Sequence, residues 1–168
     1  MTLVLLPWFL LISAVSALNI AILAVGTYGD AAPFIPIALG LQKDGHRVRF
    51  ATHEKFRALV ESNGIEFRPL KGDPDVFQEN AVKSRGQVVP LHSLTSARTM
   101  LRDIRTVIRD IVMSIWPAVI ENFQVDAIIS NPLTYGHIHV AEKLKIPLMY
   151  TNRMHQWDFL YLRPVRHG

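Results

Sequence analysis

The residues best suited to chemistry form a short turn, Gly26-Thr27-Tyr28-Gly29-Asp30, directly after an apolar run. A glycine-containing turn at the carboxyl end of a buried strand presents backbone N–H groups, which commonly bind nucleotide phosphates. A dinucleotide site needs the pattern Gly-x-Gly-x-x-Gly and an acid at the end of the second strand. Here the glycines are three residues apart, the second strand has no terminal acid, and the Lys-Ser/Thr of a P-loop is absent. The sequence therefore predicts neither kind of nucleotide site.

Asp30 is the carboxylate of this turn, and it precedes Pro33, where the next helix is predicted to begin. An acid near a helix N-terminus is favourable for the helix dipole and needs no function for that. Because Asp30 lies three residues before Pro33, it is not the predicted N-cap and is free to face the crevice at the sheet edge. Spacing leaves both interpretations open.

Further polar candidates follow the fourth predicted strand or flank the second. Asn131 suits either a crevice edge or a local Asx turn. His137 and His139 are two residues apart in a predicted helix, so they point to different sides and do not form a helical metal pair. His46 and His53 are interpreted as residues at the boundaries of the second strand. With no cysteine in the chain, a Cys-based site is excluded, and we predict no bound metal.

The elements that must position these residues alternate between strands and helices. Short apolar runs predict buried strands at 18–25, 46–51, 65–70, 125–130 and 146–150. Helical spacing of apolar residues predicts a helix from Pro33 to Gly45, a second one capped by Thr52, and a third over roughly 134–145. The predicted fold class is therefore α/β, a single Rossmann-like doubly wound parallel sheet with strand order 3-2-1-4-5.

A segment without periodicity and a long amphipathic helix separate the third and fourth strands. Residues 71–93 are interpreted either as a functional loop or as a surface insertion. Residues 94–123 predict a helix that is bent or restarted near Pro117. Its predicted apolar face comprises Leu94, Ala97, Leu101, Ile104, Ile108, Ile111 and Ile115.

Arginines line another face of this helix, at Arg98, Arg102, Arg105 and Arg109. Such a stripe suits anionic lipid. Because Asp103 and Asp110 intervene in the sequence, we favour a solvated face.

The two ends of the chain differ from the domain between them. Residues 1–17 form an apolar N-terminal segment with small residues before a cleavage position after Ala17, although the basic start of a signal peptide is missing. A membrane anchor and a wrongly predicted first exon are the competing interpretations. We exclude 1–17 from the fold, assign the domain to 18–150 and treat 151–168 as a divergent tail. The net charge of +4 arises from scattered residues offset by 14 acids, which argues against a nucleic-acid partner.

Several motifs between Gly26 and Leu70 occur together, namely Gly-Thr-Tyr-Gly-Asp, Pro-Phe-Ile-Pro-Ile-Ala, Gly-His-Arg-Val and Ala-Thr-His. With the later stretch from Ile129 to Leu148, they resemble the N-terminal domain of family 28 glycosyltransferases, especially that of fungal and plant sterol 3-beta-glucosyltransferases. The similarity covers about residues 18–148. The chain departs from the family at Ala31-Ala32, where Val-Gln is usual, and at Tyr28, where Arg is frequent.

The resemblance implies the acceptor-side half of a GT-B enzyme, in which two Rossmann-like domains face each other across a cleft. In similar enzymes the acid of this turn is the proposed base, which makes Asp30 the expected catalytic residue. The residues expected to line the acceptor side are Gly26, Thr27, Tyr28, Gly29, Asn131, His137 and His139. The resemblance also implies UDP-glucose or another UDP-sugar as co-substrate, held mainly by a donor-binding domain that is not in this chain.

Three functions stay open at this point. The first is part of a sterol glucosyltransferase, and the second is the membrane-anchored half of a split two-subunit glycosyltransferase. The third is an inactive lipid-binding domain. The expected partners are a lipid or sterol acceptor, a membrane surface and a donor-binding domain or subunit. The expected location is membrane-associated or cytoplasmic, or the secretory pathway if the apolar N-terminus is a true signal or anchor.

Overall fold

The computed structural model describes residues 16–73, 75–76, 79, 82, 94–151 and 161–163. The strands are β1 (Asn19–Leu23), β2 (Arg47–His53), β3 (Glu66–Leu70), β4 (Ala127–Ser130), β5 (Leu148–Tyr150) and β6 (Tyr161–Arg163). The helices are α1 (Tyr28–Ala31), α2 (Phe34–Lys43), α3 (Arg57–Glu61), α4 (Leu94–Ile120) and α5 (His137–Leu144), with a 3₁₀ turn at Glu54–Phe56. The strands form one sheet in the order β3-β2-β1-β4-β5-β6.

The predicted strand order is confirmed for the five parallel strands, and a sixth strand extends the sheet. Strands β1 to β5 pair in parallel. The last strand, β6, pairs antiparallel to β5, with Leu148 opposite Arg163. It lies in the tail that the sequence left unassigned. A strand of three residues has too little local pattern to predict, because its pairing depends on a neighbour far away in the sequence.

Burial on both faces of β1 explains its uninterrupted apolar sequence. On one face, Leu23 lies in the same hydrophobic cluster as Ile111 of α4 and Val140 of α5. On the other face, Ile22 clusters with Phe34 of α2 and Val60 of α3. The sheet is therefore covered by helices on both sides, as the doubly wound fold requires.

Two predicted boundaries were wrong. Thr52 is not a helix N-cap, because β2 continues through Thr52 to His53 and both residues are buried. Pro33 is not the first residue of a helix but precedes α2 as its N-cap, since the short helix α1 comes immediately before it. At Thr52, pairing with β3 overrides the local signal, whereas at Pro33 the neighbouring helix α1 moves the boundary.

The long helix α4 differs from its prediction in two respects. It continues through Pro117, so of the two predicted alternatives the restart is wrong, and a bend stays a prediction. Pro117 is exposed, so water can solvate the carbonyl of Met113, which loses its partner. Its buried face is also shifted: the buried residues are Met100, Val107, Ile111, Ser114, Ile115, Ala118 and Val119, whereas the predicted core residue Leu101 is 53% exposed. Buried positions are concentrated in the carboxyl-terminal half, which packs against the sheet.

A buried arginine ties the carboxyl end of α4 to the sheet. Arg49 on β2 is only 1% exposed and donates hydrogen bonds to the carbonyls of Ala118 (3.3 Å) and Glu121 (2.8 Å). Its Nε donates to Glu66 on β3 at 2.9 Å, and its guanidinium lies 4.2 Å from the ring centre of Phe123. The charge is therefore paired, and the last carbonyls of the helix are satisfied.

Several predictions concern residues outside the described ones. These are the apolar start at 1–15, most of the segment 71–93, and the tail apart from Thr151 and β6. Within the described part of the chain, no helix is both long enough and apolar enough to cross a membrane.

Candidate functional site

The turn after β1 lies where the strand order of the sheet reverses. The chain moves outward from β1 to β2 and β3, and then returns to β4 on the other side of β1. In open α/β sheets, ligands bind beyond the carboxyl ends of the strands at this switch point. The turn formed by Gly26 to Asp30 and the residues after β4 therefore stand at the position where a ligand site is expected.

Gly26 begins the turn with a backbone conformation that favours glycine. Its φ is +131°, and an added Cβ would lie 2.4 Å from Oδ2 of Asp30. The Gly26 N–H donates a hydrogen bond to Nε2 of His53 at 3.3 Å. His53 is buried at the end of β2, so the turn is held from the neighbouring strand.

Asp30 is partly buried within α1, and its carboxylate is bound to the start of its own turn. Oδ2 accepts hydrogen bonds from the backbone N–H of Thr27 at 2.8 Å and from the Thr27 hydroxyl at 2.9 Å. The sequence interpretation of a free Asp30 side chain was therefore wrong for this oxygen. Both hydrogen bonds go to Oδ2 and neither goes to Oδ1.

The contacts of the Gly26 and Thr27 N–H groups limit which ligands the glycine turn can bind. The N–H of Gly26 is used by His53, and the N–H of Thr27 is used by Asp30. A phosphate cradle needs such donors to point at the ligand. In this turn the N–H groups of Gly26 and Thr27 are occupied by the protein's own acceptors.

Tyr28 and Gly29 form the outer part of the turn. Tyr28 is 62% exposed, and its ring contacts that of Phe56 edge-on, with 6.5 Å between the centroids. Gly29 is half-buried. Tyr28 therefore offers an aromatic surface beside Asp30 and its partner Thr27.

Asn131 joins the end of β1 to the loop after β4. Its Nδ2 donates to the carbonyl of Val25 at 2.7 Å, and its Oδ1 accepts from the N–H of Val25 at 3.2 Å. The hydroxyl of Thr134 donates to the same Oδ1 at 2.7 Å. Asn131 is thus a buried clamp that fixes two crevice loops relative to each other. Asn131, Val25 and Thr134 are here called the Asn131 cluster, and the sequence did not predict Thr134 as a member.

The two histidines of α5 lie in different environments, as their spacing predicts. His137 is buried, its Nδ1 contacts the carbonyl of Thr134, and its ring centre lies 6.3 Å from that of Tyr150. His139 keeps 85% of its side-chain surface exposed and lies 3.8 Å from Glu142. The structure therefore brings His137 together with the Asn131 cluster and places His139 apart from it.

His53, at the end of β2, contacts the glycine turn in a way that the sequence did not predict. Its position at the end of a strand is a weak signal, since a histidine there is usually only a boundary residue. In the described part of the chain its Nδ1 is buried without a hydrogen-bond partner, while Nε2 accepts from Gly26. No group of three or more His, Asp or Glu side chains among the described residues is arranged to hold a metal ion.

Burial gives His53 and His137 a measurable effect on stability. Burial lowers the pKa of His53, assisted by the charge of Lys55 and opposed by the backbone of Gly72 and by Asp73. Burial also lowers the pKa of His137, and the Thr134 carbonyl opposes this. Below the ordinary value of 6.5 the unfolded chain therefore binds more protons than the folded one.

We expect the free energy of unfolding to be highest above pH 6.5 and to fall as the pH decreases below it. Each buried histidine contributes a slope of at most about 1.4 kcal/mol per pH unit. Urea unfolding over a pH series measures this slope. His53→Gln should reduce it, and a slope that this substitution leaves unchanged would contradict the assignment.

Gly26→Ala is expected to destabilise the fold by about 1–3 kcal/mol, because alanine at this φ is strained and its Cβ would displace Asp30. Chemical denaturation measures the loss. Gly40→Ala is the matched control, since Gly40 lies inside α2 and an added Cβ meets nothing within 4 Å. That control should gain roughly 0.5–1 kcal/mol through helix propensity. A stable Gly26→Ala variant would show that this turn does not need glycine.

Known proteins resemble this chain over most of its length. The model of the family described as "Glycosyltransferase family 28 N-terminal domain" matches residues 20–158. A sterol 3-beta-glucosyltransferase of Arabidopsis thaliana, UGT80A2, is 45% identical over 138 residues, which is 78% of this chain and 21% of the relative. A second one, UGT80B1, is 42% identical over 142 residues, covering 80% of this chain and 22% of the relative. The chain thus spans about a fifth of the length of these curated relatives.

Solved structures show the same fold at low sequence identity. The Streptomyces sp. SF2575 glycosyltransferase SsfS6 superimposes with a TM-score of 0.57 at 19% identity, covering 80% of this chain and 39% of that one. The calicheamicin glycosyltransferase CalG4 gives 0.56 at 16% identity, covering 82% and 32%. The fold is therefore that of a glycosyltransferase N-terminal domain. Since the family description spans most of the domain, including both crevice loops, the chain belongs to the glycosyltransferase family 28 N-terminal domain family.

Proposed function

We propose that this chain is the acceptor-side part of an inverting glycosyltransferase that transfers glucose from UDP-glucose to the hydroxyl of a sterol or related lipid. The sterol 3-beta-glucosyltransferases at 45% and 42% identity support this acceptor and this reaction. The donor would be bound by a part of the protein that corresponds to the remaining length of those relatives. No tightly bound cofactor is part of the proposal.

The observation that carries the proposal is the placement of Asp30 at the switch point of the sheet. One carboxylate oxygen, Oδ2, is held by two hydrogen bonds from Thr27. This fixes the orientation of the carboxylate, and the other oxygen, Oδ1, is the one that would receive a proton. A base that is held in one orientation loses less freedom when it meets the acceptor hydroxyl.

The proposed reaction requires one proton transfer and one displacement. As the acceptor oxygen forms its bond to the anomeric carbon of glucose, its proton passes to Oδ1 of Asp30. The bond between that carbon and the phosphate oxygen breaks, and UDP leaves with the electron pair. Attack from the face opposite the phosphate inverts the anomeric configuration. Asp30 would act as general base, and Tyr28 would offer its exposed ring to the apolar acceptor.

The contacts of the turn also support a donor site elsewhere in the protein. The N–H groups of Gly26 and Thr27 are occupied by His53 and Asp30, so they do not offer a diphosphate site. SsfS6 has been solved with thymidine diphosphate, which shows nucleotide binding for that protein. By analogy of fold we propose a comparable donor site in the second half of the whole enzyme.

A sterol acceptor dissolves in bilayers rather than in water, so the acceptor side is proposed to work at a membrane surface. The proposed location is accordingly membrane-associated. A donor-binding domain or subunit is the second proposed partner.

A chimeric enzyme tests the proposal directly. Residues 18–150 would replace the matching segment of the Arabidopsis thaliana relative that is 45% identical, which supplies the remaining length of the enzyme. Transfer of labelled glucose from UDP-glucose to a sterol is the expected result. The relative itself and a version lacking the segment serve as positive and negative controls. A chimera that is folded and binds UDP but transfers no glucose to any sterol would overturn the proposed function.

A further inference from the structure

The exposed face of α4 combines a basic stripe with an apolar end. The basic part, here called the arginine stripe, consists of Arg98, Arg102, Arg105 and Arg109, all exposed. The apolar end consists of Val112, Met113 and Trp116, also exposed. Apart from the adjacent Val112 and Met113, successive members are three or four residues apart, so all of them share one side of the helix.

The acids that separate these arginines in the sequence do not lie on the stripe. Asp103 and Asp110 each follow an arginine by one residue. One residue corresponds to a rotation of about 100° around an α-helix. Both acids are half-buried, whereas the arginines are exposed, so the acids lie towards the border of the packed face. The stripe is therefore a continuous positive surface that is exposed to solvent, and the two acids that intervene in the sequence do not lie on it.

The stripe extends from the same edge of the sheet as Asp30. The residue after the edge strand β3, Lys71, donates its N–H to Ser114 of α4. An added Cβ at Gly72 would meet Val107 and Ile111. The carboxyl edge of the sheet thus meets α4 near 107–114, and the thirteen helical residues at 94–106 continue past it for about 20 Å.

The apolar end also continues onto a crevice loop. An added Cβ at Gly136 would lie 3.4 Å from Val112, so the loop before α5 packs beside this part of α4. That loop carries Leu133 and Tyr135, which are 43% and 45% exposed. Met113 on the helix is 68% exposed. Apolar side chains on two elements therefore form one exposed surface next to the Asn131 cluster.

We propose that this face of α4, with Leu133 and Tyr135, docks on the surface of a bilayer that contains anionic phospholipid. Guanidinium groups pair with lipid phosphates, and tryptophan, tyrosine and methionine side chains enter the boundary between headgroups and acyl chains. An acidic protein or a nucleic acid would match the arginines but leaves the apolar end exposed. The inference deepens the proposed function by naming the surface from which the acceptor is taken.

Vesicle co-sedimentation of the full chain tests this docking without any transfer activity, so its outcome is separate from that of the chimera. The probes are vesicles of phosphatidylcholine alone and vesicles that also contain phosphatidylserine. Arg102→Gln with Arg105→Gln is expected to weaken binding to the anionic vesicles about 30-fold, from the contribution of each basic residue near such a surface. Binding to vesicles of phosphatidylcholine alone should not change, because it depends on the uncharged N-terminal run, which all variants share.

The matched control removes two exposed charges elsewhere, with Lys43→Gln on α2 and Lys143→Gln on α5. It should leave binding to anionic vesicles unchanged.

A second readout uses Trp116 as the remaining tryptophan after Trp8→Phe and Trp157→Phe. Its emission should shift to the blue on anionic vesicles. Wild-type binding by the arginine variant, an equal loss in the control, or a Trp116 emission that does not shift would each overturn the proposal.

Discussion

Asp30→Asn in the chimeric sterol glucosyltransferase is expected to lower kcat by about a hundred- to ten-thousand-fold, the range that a general base contributes. Asparagine retains an oxygen that can accept the hydrogen bonds from Thr27, but it does not take up a proton at neutral pH. The turn should therefore keep its shape while the reaction loses its base. Initial rates of glucose transfer at saturating UDP-glucose and sterol measure the effect.

The control for this substitution must change a carboxylate away from the crevice. Asp44 is exposed at the carboxyl end of α2, and Asp44→Asn should leave the rate unchanged. The unfolding free energy of Asp30→Asn should stay within about 1 kcal/mol of the parent, because one acceptor oxygen replaces another. An Asp30→Asn chimera that transfers glucose at the parental rate would remove Asp30 from the mechanism.

Arg49→Met is expected to lower the free energy of unfolding by about 3 kcal/mol. Methionine fills much of the same volume but leaves Glu66 without its buried partner and the carbonyls of Ala118 and Glu121 without their donor. The contact of the guanidinium with the Phe123 ring is also lost. Urea denaturation followed by circular dichroism measures the change.

The neighbouring arginine on the same strand supplies a matched control. Arg47 contacts the same Glu66 at 3.0 Å and also lies over Phe123, but 57% of its side-chain surface is exposed. Solvent screening limits such a pair, so Arg47→Met should cost less than about 1 kcal/mol. Equal losses of unfolding free energy for the two variants would show that the contribution of Arg49 to stability does not come from its burial and its bonds to α4.

The sequence predicted the central architecture because the relevant patterns are local. The apolar run of β1 and the helical spacing in α2 each describe burial within one element. Alternation of strands and helices then restricts the topology, and the predicted order of the five parallel strands is confirmed. The short strand β6 was not predicted, and the buried face of α4 was predicted only in part: Ile111 and Ile115 are buried, whereas Leu101 is exposed. Both features depend on contacts between distant elements.

The candidate site was predictable in its position but not in its contacts. Glycines and an acid after a buried strand indicated the turn at Gly26 to Asp30, and the family resemblance suggested the base. The sequence did not predict the bond of His53 to Gly26, which joins residues 27 positions apart. Nor did it predict the clamp of Asn131 on Val25, which joins residues 106 positions apart.

By itself, the sequence of this protein determined the five parallel strands, their order in the sheet, and that the glycine turn follows the central strand. Only the tertiary structure decided how the polar groups of that turn are used. The N–H groups of Gly26 and Thr27 bond to His53 and Asp30, so these two groups hold the turn and its carboxylate instead of pointing at a phosphate. The physical reason is that a hydrogen bond needs its partner in space, and β2 brings His53 to Gly26 only when the sheet has formed.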